Sequence, residues 1–232
     1  MSVGTLYVVA TPIGNLQDIS LRALDVLRSV SLVFAEDTRV TVKLFDAHGI
    51  RVPLVPYHQH SGHAALERAL QEIRAGNDIA LVSDAGTPGI NDPGGKFVQE
   101  LLREIPGAAV TPVPGANAAV AALSISGFPA EQYRYLGFAP HKKGRKTFFS
   151  ELARTGETVV FYESKYRILK ALEELSAAFG AEETPGRPLV VARELTKKFE
   201  TVYRGTAGGL KDALGEDPLG EFVIVVGPKN WK

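Results

Sequence analysis

The chain has 232 residues, 45% of them hydrophobic, and 26 Lys plus Arg balance 26 Asp plus Glu. Zero net charge gives no global mark of a nucleic-acid or membrane-surface protein, so any such surface must be local. The absence of cysteine excludes disulfides and thiolate metal sites, and no leader-like start or apolar run of about 18 residues is found, so a soluble, unprocessed, cytoplasmic protein is expected.

Thr5 to Thr11 is a β-rich apolar run, and the turn Pro12-Ile13-Gly14-Asn15 leads to Ser20, an N-cap for an amphipathic helix expected to turn Leu21, Leu24, Leu27 and Val30 inward. Ser31 to Ala35 predicts a second strand ending in the charged cluster Glu36-Asp37-Thr38-Arg39, and the next helix carries Val40, Leu44 and Phe45. Val52 to Pro56 is a short third strand. After Tyr57-His58-Gln59-His60 comes a helix from Gly62 to Ala75 with Leu66, Ala69, Leu70 and Ile73 on one face. Asp78 to Val82 is a buried strand, Lys96 to Glu104 a helix, Ala109 to Val113 a strand, and an alanine-rich helix runs from Ala118 to near Gly127. Strands alternating with helices predict an α/β domain with a mostly parallel sheet covered on both faces.

From Tyr133 the texture changes. Strands are expected at Tyr135 to Ala139, Thr158 to Tyr162, Leu189 to Arg193, Glu200 to Arg204 and Glu221 to Val226. Helices are expected at Lys146 to Arg154, Tyr166 to Phe179 and Gly209 to Leu214, with an exposed loop from Gly180 to Pro188. The alternation in Thr201-Val202-Tyr203-Arg204 predicts a mixed second sheet. The expected domains are therefore 1–114 and 115–232.

Three loops rich in Gly and Pro follow strands of the first sheet: Pro12 to Asn15, Asp84 to Asp92 and Pro114 to Ala118. Parallel topology puts them on one rim, where ligands of open α/β sheets bind. The middle loop spends about ten residues where such connections usually take about 2 to 6. It is not a phosphate-cradling G-x-x-x-x-G-K-[ST] loop, which would need Gly at Ile90 and a hydroxyl at Phe97. Nor does G-x-G-x-x-G follow the first strand, which argues against a dinucleotide enzyme. With no Lys or Arg in these loops, their free backbone groups and the carboxylates of Asp84 and Asp92 suit a flat polar ligand bearing amino, carboxylate and adenine groups. His58, His60 and His63 could suggest a metal, but their spacing and the lack of an acidic third ligand favour a surface or substrate-edge role, and no metal is expected. From Arg134 to Lys170, nine Lys or Arg stand against three Glu, a local cluster suited to phosphates.

The string Ser83-Asp84-Ala85-Gly86-Thr87-Pro88, followed by Asp92-Pro93-Gly94, resembles the signature of the tetrapyrrole methylase-like superfamily. Within it, the chain is similar to the small-subunit ribosomal RNA 2′-O-methyltransferase I family along Ala10 to Leu16, Ala35 to Arg39, Val113 to Ala118, Phe161 to Ser164, Ala192 to Lys197 and Gly220 to Phe222. It departs from the family at Asn91, where Ser is usual, and at Lys165-Tyr166, where Pro-His is usual. Members commonly run on past the point matching Lys232, so this chain is expected to grip RNA without that segment or with its partner subunit.

The resemblance implies a two-domain fold with S-adenosyl-L-methionine in the cleft between domains, and 2′-O-methylation of a cytidine in 16S ribosomal RNA or the small ribosomal subunit by a homodimer. The implied cofactor site comprises Pro12, Gly14 and Asn15; Asp84, Ala85, Gly86, Thr87, Pro88 and Ile90; Pro114, Gly115, Ala116, Asn117 and Ala118; and, as walls, Phe161 or Tyr162 and Ala192. The expected phosphate contacts are Lys142, Lys143, Arg145, Lys165 and Arg167. Lys146, which closes the basic loop and starts a helix, is the first choice to accept the ribose proton or hold the alkoxide, with Glu163 and Arg193 as candidates to orient it. Methylation of a small porphyrinoid, or noncatalytic RNA binding in ribosome assembly, are the competing readings.

Overall fold

The computed structural model describes residues 3–58, 62–180, 186–229 and 231. The chain forms two units, Met1–Asn117 and Ala118–Lys232, so the Pro114–Asn117 turn stays with the first unit although the expected break was after Pro114.

In the first unit the strands β1 (Thr5–Val9), β2 (Leu32–Ala35), β3 (Leu54–Pro56), β4 (Ile79–Val82) and β5 (Ala109–Val113) form a parallel sheet in the order β3-β2-β4-β1-β5. Leu32 to Ala35 and Ile79 to Val82 are wholly buried because helices cover both faces, which is why they read as unbroken apolar runs. On one face Phe34, Ile79 and Leu81 pack with Ile73, Phe97 and Leu101; on the other Val33, Ala80 and Val82 pack with Leu27 and Phe45.

Four helices connect these strands: α1 (Leu21–Ser29), α2 (Thr38–His48), α3 (Gly62–Arg74) and α4 (Gly94–Glu104). The Ser20 hydroxyl accepts the Ala23 N–H as the expected N-cap of α1. Leu21, expected inward, is 80% exposed. At about 100° per residue it stands roughly 130° from the centre of the buried stripe made by Ala23, Leu24, Leu27 and Val30. In α2 the buried stripe is Thr41, Leu44 and Phe45, and Val40 lies at its exposed margin.

The second unit contains α5 (Ala118–Ser124), β6 (Tyr133–Phe138), α6 (Arg145–Arg154), β7 (Thr158–Ser164), α7 (Ile168–Phe179), β8 (Leu189–Arg193), β9 (Thr201–Gly205), α8 (Ala207–Leu214) and β10 (Glu221–Val226). Its sheet runs β6-β7-β10-β8-β9; β6 is parallel to β7, and the other pairs are antiparallel. The sheet is mixed, as the alternating segment at Thr201 predicts. Phe161, Val191, Phe222 and Ile224 meet Phe149, Leu172 and Leu210 in its core. Of the Gly180 to Pro188 loop, residues 181–185 lie outside the described residues.

Candidate functional site

Strands β4, β1 and β5 are neighbours, so the three Gly/Pro loops that follow them meet on one rim of the first unit. Thr11 and Gly86 exchange both backbone hydrogen bonds, at 2.9 and 3.0 Å, and the Thr11 hydroxyl donates to the Ser83 carbonyl at 3.1 Å. The Thr87 hydroxyl donates to the Ala116 carbonyl at 3.1 Å, which ties the second loop to the third. Gly86 holds φ +83°, and a Cβ at Gly115 would stand 2.9 Å from the Ala10 Cβ. Glycine is therefore required at both positions if the loops are to lie this close. Gly14, Asn15, Asp84, Ala85, Ile90, Pro114 and Gly115 are exposed along the rim, whereas Pro12, Gly86 and Pro88 are buried beneath it. The Asn15 side chain accepts the Gln17 N–H and caps a single turn at Leu16–Asp18.

The rim includes carboxylates that the expected site left out. The Glu36-Asp37 cluster follows β2, next to β4, and the Asp37 N–H donates to Asp84 Oδ1 at 2.9 Å while the Asp84 N–H donates to Glu36 Oε2 at 3.3 Å. Partial burial pushes the Glu36 carboxyl above the usual carboxylate range, and the neighbouring charges of Asp84, Asp92 and Asp37 add to that, against the Asp84 N–H. Asp84 is pushed up by the same loss of solvent, partly offset by the Asp37 N–H. Asp37 is held at about 2 by the Arg39 guanidinium, 2.6 Å away, and the Arg39 N–H. The signal for Glu36 was in the sequence, a charged cluster at the carboxyl end of a strand. What it lacked was the strand order that puts β2 beside β4.

Both carboxylate oxygens of Asp92 accept the Gly89 N–H, and Oδ1 also accepts the Gly94 N–H at 2.8 Å, so Asp92 folds the loop that enters α4. Asn91 holds φ +74°, a backbone state that Asn tolerates better than most side chains. Beside this loop Glu36, Tyr57, His63, Asn91, Asp92 and Lys96 line a depression of about 630 Å³. Among the described residues no group of three or more His, Asp or Glu could hold a metal ion, and His60 lies outside those residues.

In the second unit Tyr162, Val223, Ala192 and Val202 form one row across the sheet, and Phe161, Ile224, Val191 and Tyr203 form the next. Adjacent rows face opposite ways. Of the two expected wall residues, Phe161 is fully buried against Phe148 and Phe149 of α6. Tyr162 and Ala192 share the other face, where the Tyr162 hydroxyl accepts the Ala119 N–H at 3.2 Å and burial pushes its pKa up.

Glu163 has a fully buried carboxylate that accepts Arg145 Nη1 at 2.9 Å, Arg167 Nε at 2.9 Å and the Ser164 N–H at 2.8 Å. Arg145 is only 5% exposed and also pairs with Glu174 at 2.7 Å. Arg145, expected at a phosphate, is turned into the fold, and Glu163, expected to orient a reacting group, shares its carboxylate between two arginines. Arg145 Nη1 also holds the Pro140 carbonyl at 3.0 Å, which closes the basic loop on itself. Lys142, Lys143 and Lys146 are exposed, Lys165 and Arg167 are half-buried, and Arg193 donates to the Leu219 carbonyl.

Residues 5–211 match the tetrapyrrole (corrin/porphyrin) methylases as a family. A Xylella fastidiosa protein named ribosomal RNA small subunit methyltransferase I is 45% identical over 227 residues, which cover 96% of this chain and 81% of that protein. A Pseudomonas aeruginosa protein of the same name is 44% identical over 230 residues, covering 97% of this chain and 79% of its own. The crystal structure of a uroporphyrin-III-C-methyltransferase from Thermus thermophilus shares the fold, with a TM-score of 0.65 at 24% identity over 97% of this chain and 94% of that one.

Proposed function

The chain belongs to the tetrapyrrole methylase family, with relatives named ribosomal RNA small subunit methyltransferase I, and on that premise we propose that it methylates the ribose 2′-hydroxyl of a cytidine in small-subunit ribosomal RNA, using S-adenosyl-L-methionine. The observation that carries the reading is the rim of the first unit. Its three loops are bound edge to edge through Thr11, Gly86, Thr87 and Ala116, and side chains are absent where Gly14 and Gly115 stand exposed. Backbone donors and acceptors therefore face a ligand directly. The bound cofactor supplies a methyl group activated on a sulfonium, so no acid is needed to assist its leaving group. Asp84 commits Oδ1 to Asp37 and keeps Oδ2 for the ligand's amine or ribose hydroxyls.

The chain's remaining task is to take or hold the proton of a ribose hydroxyl. Lys146 fits as an exposed first-turn residue of α6 with no carboxylate within ion-pair distance among the described residues. Glu36 is a second candidate because it stands on the rim itself with its proton affinity raised. Calorimetry with S-adenosyl-L-methionine, S-adenosylhomocysteine and ATP, together with a mass-spectrometric methylation map of ribosomal RNA from a deletion strain, tests the reading. Tight binding of ATP alone, or an unchanged map, would reject it. Methylation of a porphyrinoid in place of RNA would support the nearest competing activity.

A further inference from the structure

Pairing of Glu221 with Ser164, of Phe222 with Arg193 and of Arg193 with Thr201 brings the loops after β7 and β8 to the same edge of the second sheet as the start of β9. The basic loop after β6 joins them, since β6 runs parallel to β7. This edge carries Lys142, Lys143, Lys165 and Lys198, and among the described residues none of the four has a carboxylate within ion-pair distance. Of the acids at this edge, Glu163 is engaged by Arg145 and Arg167, Glu194 and Glu221 by Lys197, and Glu200 by the Thr196 N–H, while Glu216 and Asp217 stand exposed in the loop that enters β10.

Two aromatic rings stand out from the same edge. Tyr166 is 84% exposed and Phe199 is 66% exposed. Leaving rings of this size in water forgoes the stabilisation that burial would give. Each follows a lysine whose ammonium lies over its ring, Lys165 at 4.9 Å from Tyr166 and Lys198 at 5.5 Å from Phe199. The two loops thus repeat one device, a cation beside an open aromatic face. Strands β7 and β9 are three steps apart in the sheet, roughly 14 Å at about 4.8 Å per step, which a few nucleotides of an extended strand can span.

We propose that this edge is a platform for unpaired RNA, on which Tyr166 and Phe199 each stack a base while the four lysines meet the flanking phosphates. The inference rests on the reading of the chain as an RNA methyltransferase and adds that the segment it holds is single-stranded. In a duplex the base faces are already stacked on one another, so two exposed rings would have nothing to receive; lysines alone would serve for phosphates.

The test is fluorescence anisotropy of the full chain with a labelled single-stranded RNA oligonucleotide and its duplex form, over a range of salt. Tyr166→Ala and Phe199→Ala are each expected to weaken single-strand binding by about five- to hundredfold with an unchanged salt slope. Tyr166→Phe and Phe199→Tyr should keep the affinity, because stacking needs the face and not the hydroxyl. Lys142→Ala with Lys143→Ala should lower the slope by about 0.7 per lysine. Binding of S-adenosyl-L-methionine by the aromatic variants, read by calorimetry, should stay at the level of the unmodified chain.

Affinity within twofold of the unmodified chain in both alanine variants, or equal binding of duplex RNA, overturns the platform. So does a change of oligomeric state in those variants by light scattering, which would make the rings a protein interface. If the unmodified chain methylates ribosomal RNA and the aromatic variants bind and turn over like it, the platform alone falls. If the aromatic effects appear but no methyl transfer to RNA is found, the enzymatic reading falls and the platform stands.

Discussion

Asp37 donates its backbone N–H to Asp84 Oδ1 at 2.9 Å, so the carboxylate expected to meet a ligand is positioned by the loop of a neighbouring strand. The bond uses one oxygen and fixes the direction of the other. A hydrogen bond involving a charged group contributes about 1.5 to 3 kcal/mol. Asp84→Ala should therefore weaken binding of S-adenosyl-L-methionine about tenfold or more. The Asp37 N–H it leaves behind is near solvent, so the circular dichroism spectrum should not change. Calorimetry that found unchanged affinity in the folded variant would remove Asp84 from the site.

Glu36 gives the rim a pH dependence with a definite sign. Partial burial first, and the charges of Asp84, Asp92 and Asp37 next, raise its folded-state pKa, so the folded chain holds this proton more tightly than the unfolded chain does. Its contribution to stability is present below the unfolded carboxylate value of about 4.3 and is lost as pH rises through the raised folded value. Glu36→Gln removes that loss. Its melting temperature should equal or exceed that of the unmodified chain at neutral pH, and the gap should close on acidification. A variant that melts lower at pH 7 than the unmodified chain would show that the carboxylate is held by contacts outweighing its desolvation.

The Arg145–Glu163–Arg167 network predicts a loss of stability rather than of chemistry. Removing one member of a buried ion pair leaves an uncompensated charge and costs about 3 to 5 kcal/mol. Glu163→Ala takes from Arg167 its one ion-pair partner among the described residues and leaves the buried Arg145 with Glu174 and the Pro140 carbonyl alone. Urea denaturation should show a drop of that size. A drop below about 1 kcal/mol would mean that the arginines find water or other acceptors at little cost.

How much of this was legible depended on how local each signal is. Leu32 to Ala35 and Ile79 to Val82 read as buried strands because four apolar residues in a row, bounded by charge or turns, have few other solutions. The three loops read as one rim because parallel strands leave their connections no alternative. Leu21 was misplaced because the apolar spacing Leu21, Leu24, Leu27 fits a helical stripe as well as the true one does. Ala23, which belongs to the true stripe, carries little hydrophobic signal. Phe161 and Tyr162 could not be told apart: both faces of β7 are covered, so its sequence does not alternate. The burial of Arg145 was not readable at all, since its partners Glu163, at the end of β7, and Glu174, on α7, lie 18 and 29 residues away and only the tertiary packing of α6 brings them together.

The proton acceptor is the least local feature, and two variants separate the candidates. If Lys146 takes the ribose proton or holds the alkoxide, Lys146→Ala should keep cofactor affinity and most RNA affinity and lose single-turnover methylation by about a hundredfold to ten-thousandfold. Because Lys146 is exposed in the first turn of α6 and alanine is a good helix former, folding should not suffer. Glu36→Gln should then leave the rate within about threefold. If Glu36 is the acceptor, the pattern reverses. The rate of the unmodified chain should also rise with pH along a limb set above the ordinary carboxylate range, because the raised pKa delays its deprotonation. That limb should vanish in Glu36→Gln and persist in Lys146→Ala. Methylation within about threefold of the unmodified rate in both single variants would exclude both side chains, and the hydroxyl would then have to be activated by positioning alone.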